Sequence, residues 1–310
     1  MLPYLIKRIG VALPLLVVIS FVTFILNQLS PMDPVEVVLR AQEVPIITEA
    51  LMAQTRAELG LDRPFLERYW DWLLSSVQLD FGDSYITGKP VWSLLGPAFL
   101  NTLKLTLISS FLIILFSIGL GIVCALREGR LLDLSIRGLS FLMTSMPAYG
   151  LAAIMIWYFA VQLDLLPTSG MDSAASYVLP VAVIVIGYAG IYFRTIRSSM
   201  LSNLNEDYVL YARACGLSER QITMHVLRNS MQVAVSVFGL AIPIILGSTV
   251  VVENVFAWPG LGTLTVNSIL GRDFPIIQAY VLVLAVAFVL FNTVSDLINA
   301  ALNPRLRKEL

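Results

Sequence analysis

Six long apolar runs leave this chain few folds to choose from: Ile9 to about Leu29, Leu100 to Leu126, Ile136 to Leu163, Tyr177 to Phe193, Met231 to Val252 and Ile276 to Ala301. Each is near the ~20 residues a helix needs to cross a bilayer, and inside hydrocarbon only helices and closed barrels satisfy every backbone N–H and C=O. Composition agrees, because 57% of the residues are hydrophobic and 13% charged, against roughly 45–50% and 25% in a soluble domain. The expectation is an all-α integral membrane protein with six transmembrane helices and both termini on the same side. Lys7 and Arg8 precede the first run as in a signal peptide, but no small-x-small cleavage site follows, so it reads as an uncleaved first helix.

Basic residues test that topology independently. Arg127, Arg130, Arg137, Arg194, Arg197, Arg213, Arg220, Arg228, Arg305, Arg307 and Lys308 fall in segments assigned to the inside, joining Lys7 and Arg8. Segments assigned to the outside carry only Arg40, Arg56, Arg63, Arg68, Lys89 and Arg272, so the positive-inside rule places both termini in the cytoplasm. A net charge of −1 without any basic stretch interleaved with aromatics speaks against a nucleic-acid partner.

From Ser30 to about Pro97 the chain is richer in acids and prolines, with a helix-like portion from Thr48 to Leu79. It is too polar to span and too long for a simple loop, which makes it a small outer cap. Tyr69, Trp70 and Trp72 within it suit a membrane interface or small core, or alternatively a substrate contact.

The segment from Asn205 to Asn229 stands out between the fourth and fifth runs because it is polar and well punctuated. Asn205 is placed to cap a helix that has Glu206 and Asp207 in its dipole-favoured first turn, with Leu204 stapled on Val209. Gly216 suits the left-handed position that ends such a helix, and Ser218 with Gln221 forms a capping box opening a second one toward Arg228. Tyr208, Tyr211, Ala212 and Cys215 share a face, fit either to seat in a groove on a partner or to pack on the chain's own body.

Energy for any transport would have to come from outside this chain. There is no GxxxxGK[ST] phosphate loop, and buried carboxylates are sparse: Glu253 at the outer end of the fifth run and Asp296 toward the inner end of the sixth, each equally suited to a capping or interhelical hydrogen bond. His225 is the lone histidine, which rules out a His-based metal cluster and leaves little for a Ser/His/Asp site. Cys124 and Cys215 offer neither a disulfide framework nor metal spacing. The chain therefore reads as a non-enzyme, with a nucleotide-hydrolysing partner.

The stretch YVLYARACGLSERQITMHVLRN, Tyr208 to Asn229, resembles the EAA-type loop of binding-protein-dependent ABC importer permeases, in the form YxxxARAxGLSxxxIxxxHxLRN of the oligopeptide, dipeptide and nickel branch. Leu59 to Tyr85 and Glu253 to Gln278 are similar to two further segments of that branch, as are MPAYGLA and the terminal LNPRLR. Val233 stands where the branch often has proline. The resemblance implies a type I (MetI-like) permease core with an extra N-terminal helix and extracytoplasmic segment, divided as 1–97, a core of 98–303 with its coupling loop at 204–229, and a cytoplasmic tail of 304–310. It implies a homologous second permease, two ABC ATPases carrying the ATP and Mg, and an extracytoplasmic binding protein, all at a bacterial cytoplasmic membrane. Glu206, Asp207, Tyr208, Tyr211, Ala212 and Gly216 are the expected ATPase contact, braced by His225 and Arg228.

For cargo, SYITGKPV, GPAFLNTLKLT, LLPTSG and YAGIYFR are most similar to permeases for nickel and for opine-type metallophores. No Cys/His set lines the runs, which favours a chelated metal over a bare cation held by this chain. A di- or oligopeptide is the alternative cargo, and an ATPase-independent channel or export subunit the alternative class. Tyr188, Tyr192, Glu253 and Asn254 are candidate pathway residues, although core packing accounts for each as well.

Overall fold

The computed structural model describes residues 2–302, so the expected tail at 304–310, with Arg305, Arg307 and Lys308, lies outside the described residues. Among those residues regular structure is helical, with only an isolated bridge between Asp83 and Pro90. The first helix, α1 (Leu2–Gln28), is followed by three short amphipathic ones: α2 (Pro34–Ala41), α3 (Glu49–Glu58) and α4 (Phe65–Val77). Their starts are chemically marked, since the Asp33 carboxylate accepts the Val35 N–H, Pro34 occupies the first turn, and the Thr48 hydroxyl accepts the Leu51 N–H.

Next come α5 (Val91–Leu126), α6 (Leu131–Ser145) and α7 (Ala148–Met155), the last running on as a π-helical turn over Ile156–Gln162. One continuous span was expected from Ile136 to Leu163, but α6 and the α7 segment bend by 104°. Pro147 is the cause: it pushes Met146 out of the helical region to φ −78°, ψ 134° and cannot donate to the preceding turn. A 3₁₀ turn (Ala174–Tyr177) then leads into α8 (Val178–Leu204), α9 (Asp207–Ala214), α10 (Glu219–Ser248), α11 (Val250–Val255), α12 (Leu261–Gly271) and α13 (Phe274–Leu302).

Among the described residues four helices are long and apolar enough to cross a membrane, over Arg8–Gln28, Val91–Leu126, Ala174–Leu204 and Phe274–Asn299, and the bent pair makes a fifth if counted as one span. The remaining expected crossing, Met231 to Val252, falls on the second half of α10 and on α11. These follow one another across Thr249, whose N–H bonds Ile245 and whose carbonyl accepts from Glu253.

The chain gathers into two compact units, each discontinuous in sequence. One contains Leu103–Trp258 and 290–302; the other contains Leu5–Thr102 and Pro259–Val289. In the first, α8 packs on α6, α7, α10 and α11 around Ile196, Met200, Val209, Ile222 and Val226. Close approach demands small residues here: a Cβ at Gly121 would come within 2.6 Å of the Ile196 side chain, and one at Gly190 would strike Ser140 and Thr144. In the same unit the wholly buried Asp133, at the start of α6, takes two 2.8 Å bonds from the Arg197 guanidinium of α8 and the Gly129 N–H at 3.1 Å.

In the second unit Tyr69 is buried against α1, edge-on to Phe21 and Phe24 at 5.0 and 5.5 Å, with its hydroxyl reaching Ser20 Oγ and the Val17 carbonyl. Tyr69 thus belongs to a small core, whereas Trp70 is 52% exposed. Asp273 accepts from the Ser84 hydroxyl and the Tyr85 N–H, so the LDFGDSY and RDFPIIQ stretches lie against each other across nearly two hundred residues.

A single break in the buried pair of the first unit has a defined cost. Arg197→Met takes both guanidinium bonds from the Asp133 carboxylate, leaving it the Gly129 N–H and Arg137 at 3.8 Å, and is expected to destabilise by about 3 kcal/mol, whereas Asp133→Leu combined with Arg197→Met costs less, because no buried charge is then left without its partner. Thermal unfolding of the detergent-solubilised protein checks this, and equal losses in the single and double variants would count against the pair.

Candidate functional site

The punctuated segment after α8 folds as two helices joined by a glycine turn, the second with a capped start, and with one shift in register. Asn205 does not cap α9: it closes α8 at φ −94°, ψ 4°, donating its N–H to Ser202, while Glu206 takes the extended N-cap conformation at φ −80°, ψ 149°. Only two residues separate the helices, and the first of them is used up in ending α8. Asp207 sits in the first turn of α9, where the helix dipole favours its charge, and Val209 is buried in the core that Leu204 also joins.

The C-terminus of α9 is a Schellman turn. Gly216 has φ +81° and donates to the Arg213 carbonyl at 2.9 Å, and Leu217 reaches back to the Ala212 carbonyl at 3.1 Å. A side chain at that φ is strained even though open space surrounds the position. Immediately beyond, the Ser218 N–H donates to Gln221 Oε1 at 2.9 Å and the Gln221 N–H to Ser218 Oγ at 3.4 Å, a capping box that opens α10. The second helix does not stop near Arg228 but continues to Ser248, so the segment is one short helix followed by the first turns of a long one.

Arg213 spans the turn with a fork onto Glu219 at 2.9 and 3.3 Å. Its hydrogen bond to the guanidinium holds the Glu219 carboxyl below the usual carboxylate range.

Between α9 and the start of α10 lies a shallow concavity of about 260 Å³, lined by Tyr208, Tyr211, Ala212, Cys215, Leu217, Ile222 and His225. The face expected from helical spacing is therefore one wall of it, and His225, itself exposed, comes from the facing helix. Glu206 and Asp207 lie exposed at the N-terminal edge, Gly216 in the turn, and Arg228 exposed one turn beyond His225 without lining the concavity. Leu210, Tyr211 and Met224 are 70%, 73% and 62% exposed, large apolar side chains left bare in a polar stretch of the chain. Leu210 and Met224 escaped the reading of the sequence because they fall off the face chosen there, although an apolar residue amid charges at this segment was itself the signal.

The candidate pathway residues lie on α8 and α11. Tyr192 is buried and stacked on Phe238 at 5.3 Å, and the Tyr188 hydroxyl donates to Ser248 Oγ at 2.6 Å. Glu253 is wholly buried at the start of α11, and Asn254 returns its amide to the Val250 carbonyl at 2.8 Å. Among the described residues no three His, Cys, Asp or Glu side chains come together as a metal site.

Comparison with known proteins adds the family. Residues 117–308 match the model of the binding-protein-dependent transport system inner membrane component, and residues 1–109 the model of the N-terminal part of such membrane components. The chain is similar to the metal-staphylopine import system permease protein CntB of Staphylococcus aureus, at 52% identity over 99% of both chains. It is also similar to the glutathione transport system permease protein GsiC of Escherichia coli K12, at 36% identity over 99% of both. Among solved structures, the inward-facing MetNI methionine ABC transporter shares the fold at a TM-score of 0.58 and 19% identity, covering 68% of this chain and 96% of that one. With two family models spanning nearly its whole length and relatives that align end to end, this multi-pass helical membrane chain belongs to the permease family of binding-protein-dependent ABC importers.

Proposed function

We propose that the chain is the permease through which a metal–metallophore complex of the nickel, cobalt or zinc class, released by an extracytoplasmic binding protein, enters the cytoplasm. The observation that carries the cargo is the 52% identity, over 99% of both chains, to a permease named for metal-staphylopine import. The 36% identity to a glutathione permease supports the second reading, a small peptide. In this assembly the chain pairs with a homologous permease and two ATPases that bind ATP and Mg, and both of its termini face the cytoplasm. Residues 1–97 supply the added helix and outer segment, 98–303 the permease core with coupling at 204–229, and 304–310 a cytoplasmic tail.

Force enters through α9. Its bare Leu210 and Tyr211, the acids Glu206 and Asp207 and the small Ala212 give a knob of apolar surface with a charged rim, suited to a cleft on an ATPase. His225 and Arg228 brace it from α10. The Schellman turn and capping box make α9 and the start of α10 a stiff elbow, and α8 enters that elbow after only two intervening residues. A pull on α9 is passed to α8 and, through Arg197 and Asp133, to α6. Closure of the ATPase pair on ATP would thereby turn the bundle outward, with Tyr188, Tyr192, Glu253 and Asn254 near the helices that move.

Two measurements test these readings. Gly216→Val is expected to abolish uptake and cut co-purification of the ATPase at unchanged membrane insertion, because valine resists φ near +80°; normal uptake at equal expression would sink the coupling role. In matched strains with and without the chain, uptake of nickel, cobalt and zinc, free or with an opine metallophore, is compared with that of a labelled dipeptide. Loss confined to metallophore-dependent metal is the expected result, while loss confined to the dipeptide would transfer the cargo to the second reading.

A further inference from the structure

α4 is apolar over more of its surface than its packing uses. Phe65, Tyr69 and Trp72 carry the face that meets Phe21 and Phe24 of α1. Beside that face, Leu66, Trp70, Leu74 and Val77 recur at helical spacing and are 58%, 52%, 64% and 80% exposed. At ~100° per residue the two faces together cover about 200° of the helix, which leaves one polar side to Glu67, Asp71 and Arg68. The charges on that side are answered locally: Arg63 reaches Asp71 at 2.6 Å and Glu67 at 3.7 Å. A soluble helix has no use for a second apolar face left in water.

α1 shows how deep α4 lies. The stretch of α1 able to cross a membrane is Arg8–Gln28, and the Tyr69 hydroxyl reaches Ser20 Oγ at 2.9 Å and the Val17 carbonyl at 3.1 Å. At ~1.5 Å per residue those groups lie roughly 12 and 16 Å short of Gln28, and the rings of Phe24 and Phe21 roughly 6 and 10 Å short of it. That matches the depth of about 5–10 Å at which interfacial amphipathic helices bury their apolar face. At the same level α1 exposes Val18, Val22 and Leu26, so the open face of α4 extends a surface suited to hydrocarbon. The Arg68 guanidinium passes over the Phe24 ring at 5.8 Å and donates to Gln28 Oε1 at 3.3 Å, leading its charge toward the end of the span as a snorkelling side chain does.

We infer that α4 is an interfacial helix embedded in the outer leaflet beside α1, with Leu66, Trp70, Leu74 and Val77 against lipid acyl chains and Glu67 and Asp71 at the aqueous edge. Lipid is the occupant the observations favour. A protein docking from the aqueous side would not meet a helix that descends to the level of Phe21, and the open face offers no polar group except the Trp70 indole, which suits the headgroup boundary. The N-terminal segment is then moored to the bilayer rather than standing clear of it. Only the choice of leaflet rests on the proposed importer topology.

Site-specific photo-crosslinking tests this on the full-length chain with its co-purifying subunits, in nanodiscs of phosphatidylcholine and phosphatidylglycerol. With p-benzoylphenylalanine in place of Leu74 or Val77, irradiation is expected to attach phospholipid to the chain, read as the added mass of one lipid, with a yield several-fold above that for the same group in place of Asp71. Discs of chain-brominated lipid give a second reading. They are expected to quench part of the tryptophan emission, and Trp70→Phe, which keeps an apolar ring, is expected to remove a share of the quenched part. Adducts from Leu74 and Val77 with a protein subunit would assign the face to that subunit and overturn the inference. A lipid yield at Leu74 no higher than at Asp71, or quenching unaltered by Trp70→Phe, would overturn it equally. Neither readout depends on uptake or on which leaflet is outermost, so a failure here leaves the importer reading standing, and failed uptake leaves the lipid contact intact.

Discussion

Hydrocarbon offers no acceptor to a bare N–H and no donor to a bare C=O, and nearly every feature of this chain answers that constraint. The long helices satisfy their backbones internally, so what distinguishes one helix from another is how closely it meets its neighbour and what polar groups it brings along. Gly121 and Gly190 let helices meet at distances a side chain would forbid. Where a charge is buried it is matched at once: Asp133 meets the fork of Arg197 and the Gly129 N–H. That pair contributes little net stability over an apolar replacement, but its geometry is specific, and it ties α6 to α8 close to where α8 hands over to α9.

The same logic explains why the segment after α8 is so heavily punctuated. A short helix of eight residues is marginal by itself, and its ends hold unsatisfied backbone groups that must be answered locally. Gly216 answers those at the C-terminus, and Ser218 with Gln221 answers those at the start of α10. With its C-terminus closed by the glycine turn and Val209 buried in the core, α9 is held while Leu210 and Tyr211 remain in solvent. An exposed apolar face on a helix anchored in this way is what a detachable contact requires, since it forms and breaks without unfolding.

Much of this was legible before any coordinates, and the reasons are local. The positive φ at Gly216, the Ser218–Gln221 box, the burial of Val209 and four uninterrupted spans all follow from residues within a few positions of one another. The failures are equally local in kind. Asn205 looked like a cap because its neighbours suited it, but α8 claimed that residue first. Pro147 was visible as a proline, yet a hydropathy window cannot tell a kink from a break of 104°. What no window could supply is long-range: the pairing of Asp273 with the Ser84–Tyr85 turn and the gathering of Pro259–Val289 with the N-terminal unit.

Side chains answer the same constraint unevenly. In the unit carrying α9, Asp133 and Thr249 have partners inside the fold, yet the hydroxyls of Thr106, Ser109, Ser110 and Ser140 are buried without one, as are Trp72 Nε1 and Gln278 Nε2 in the other unit. The difference follows from what each group costs: about 1–3 kcal/mol for a stranded neutral donor or acceptor, roughly 3–5 kcal/mol for a stranded charge. A helix can therefore carry an unpartnered hydroxyl through a packed interface, while a carboxylate such as Asp133 persists only where a second helix brings it a fork of donors.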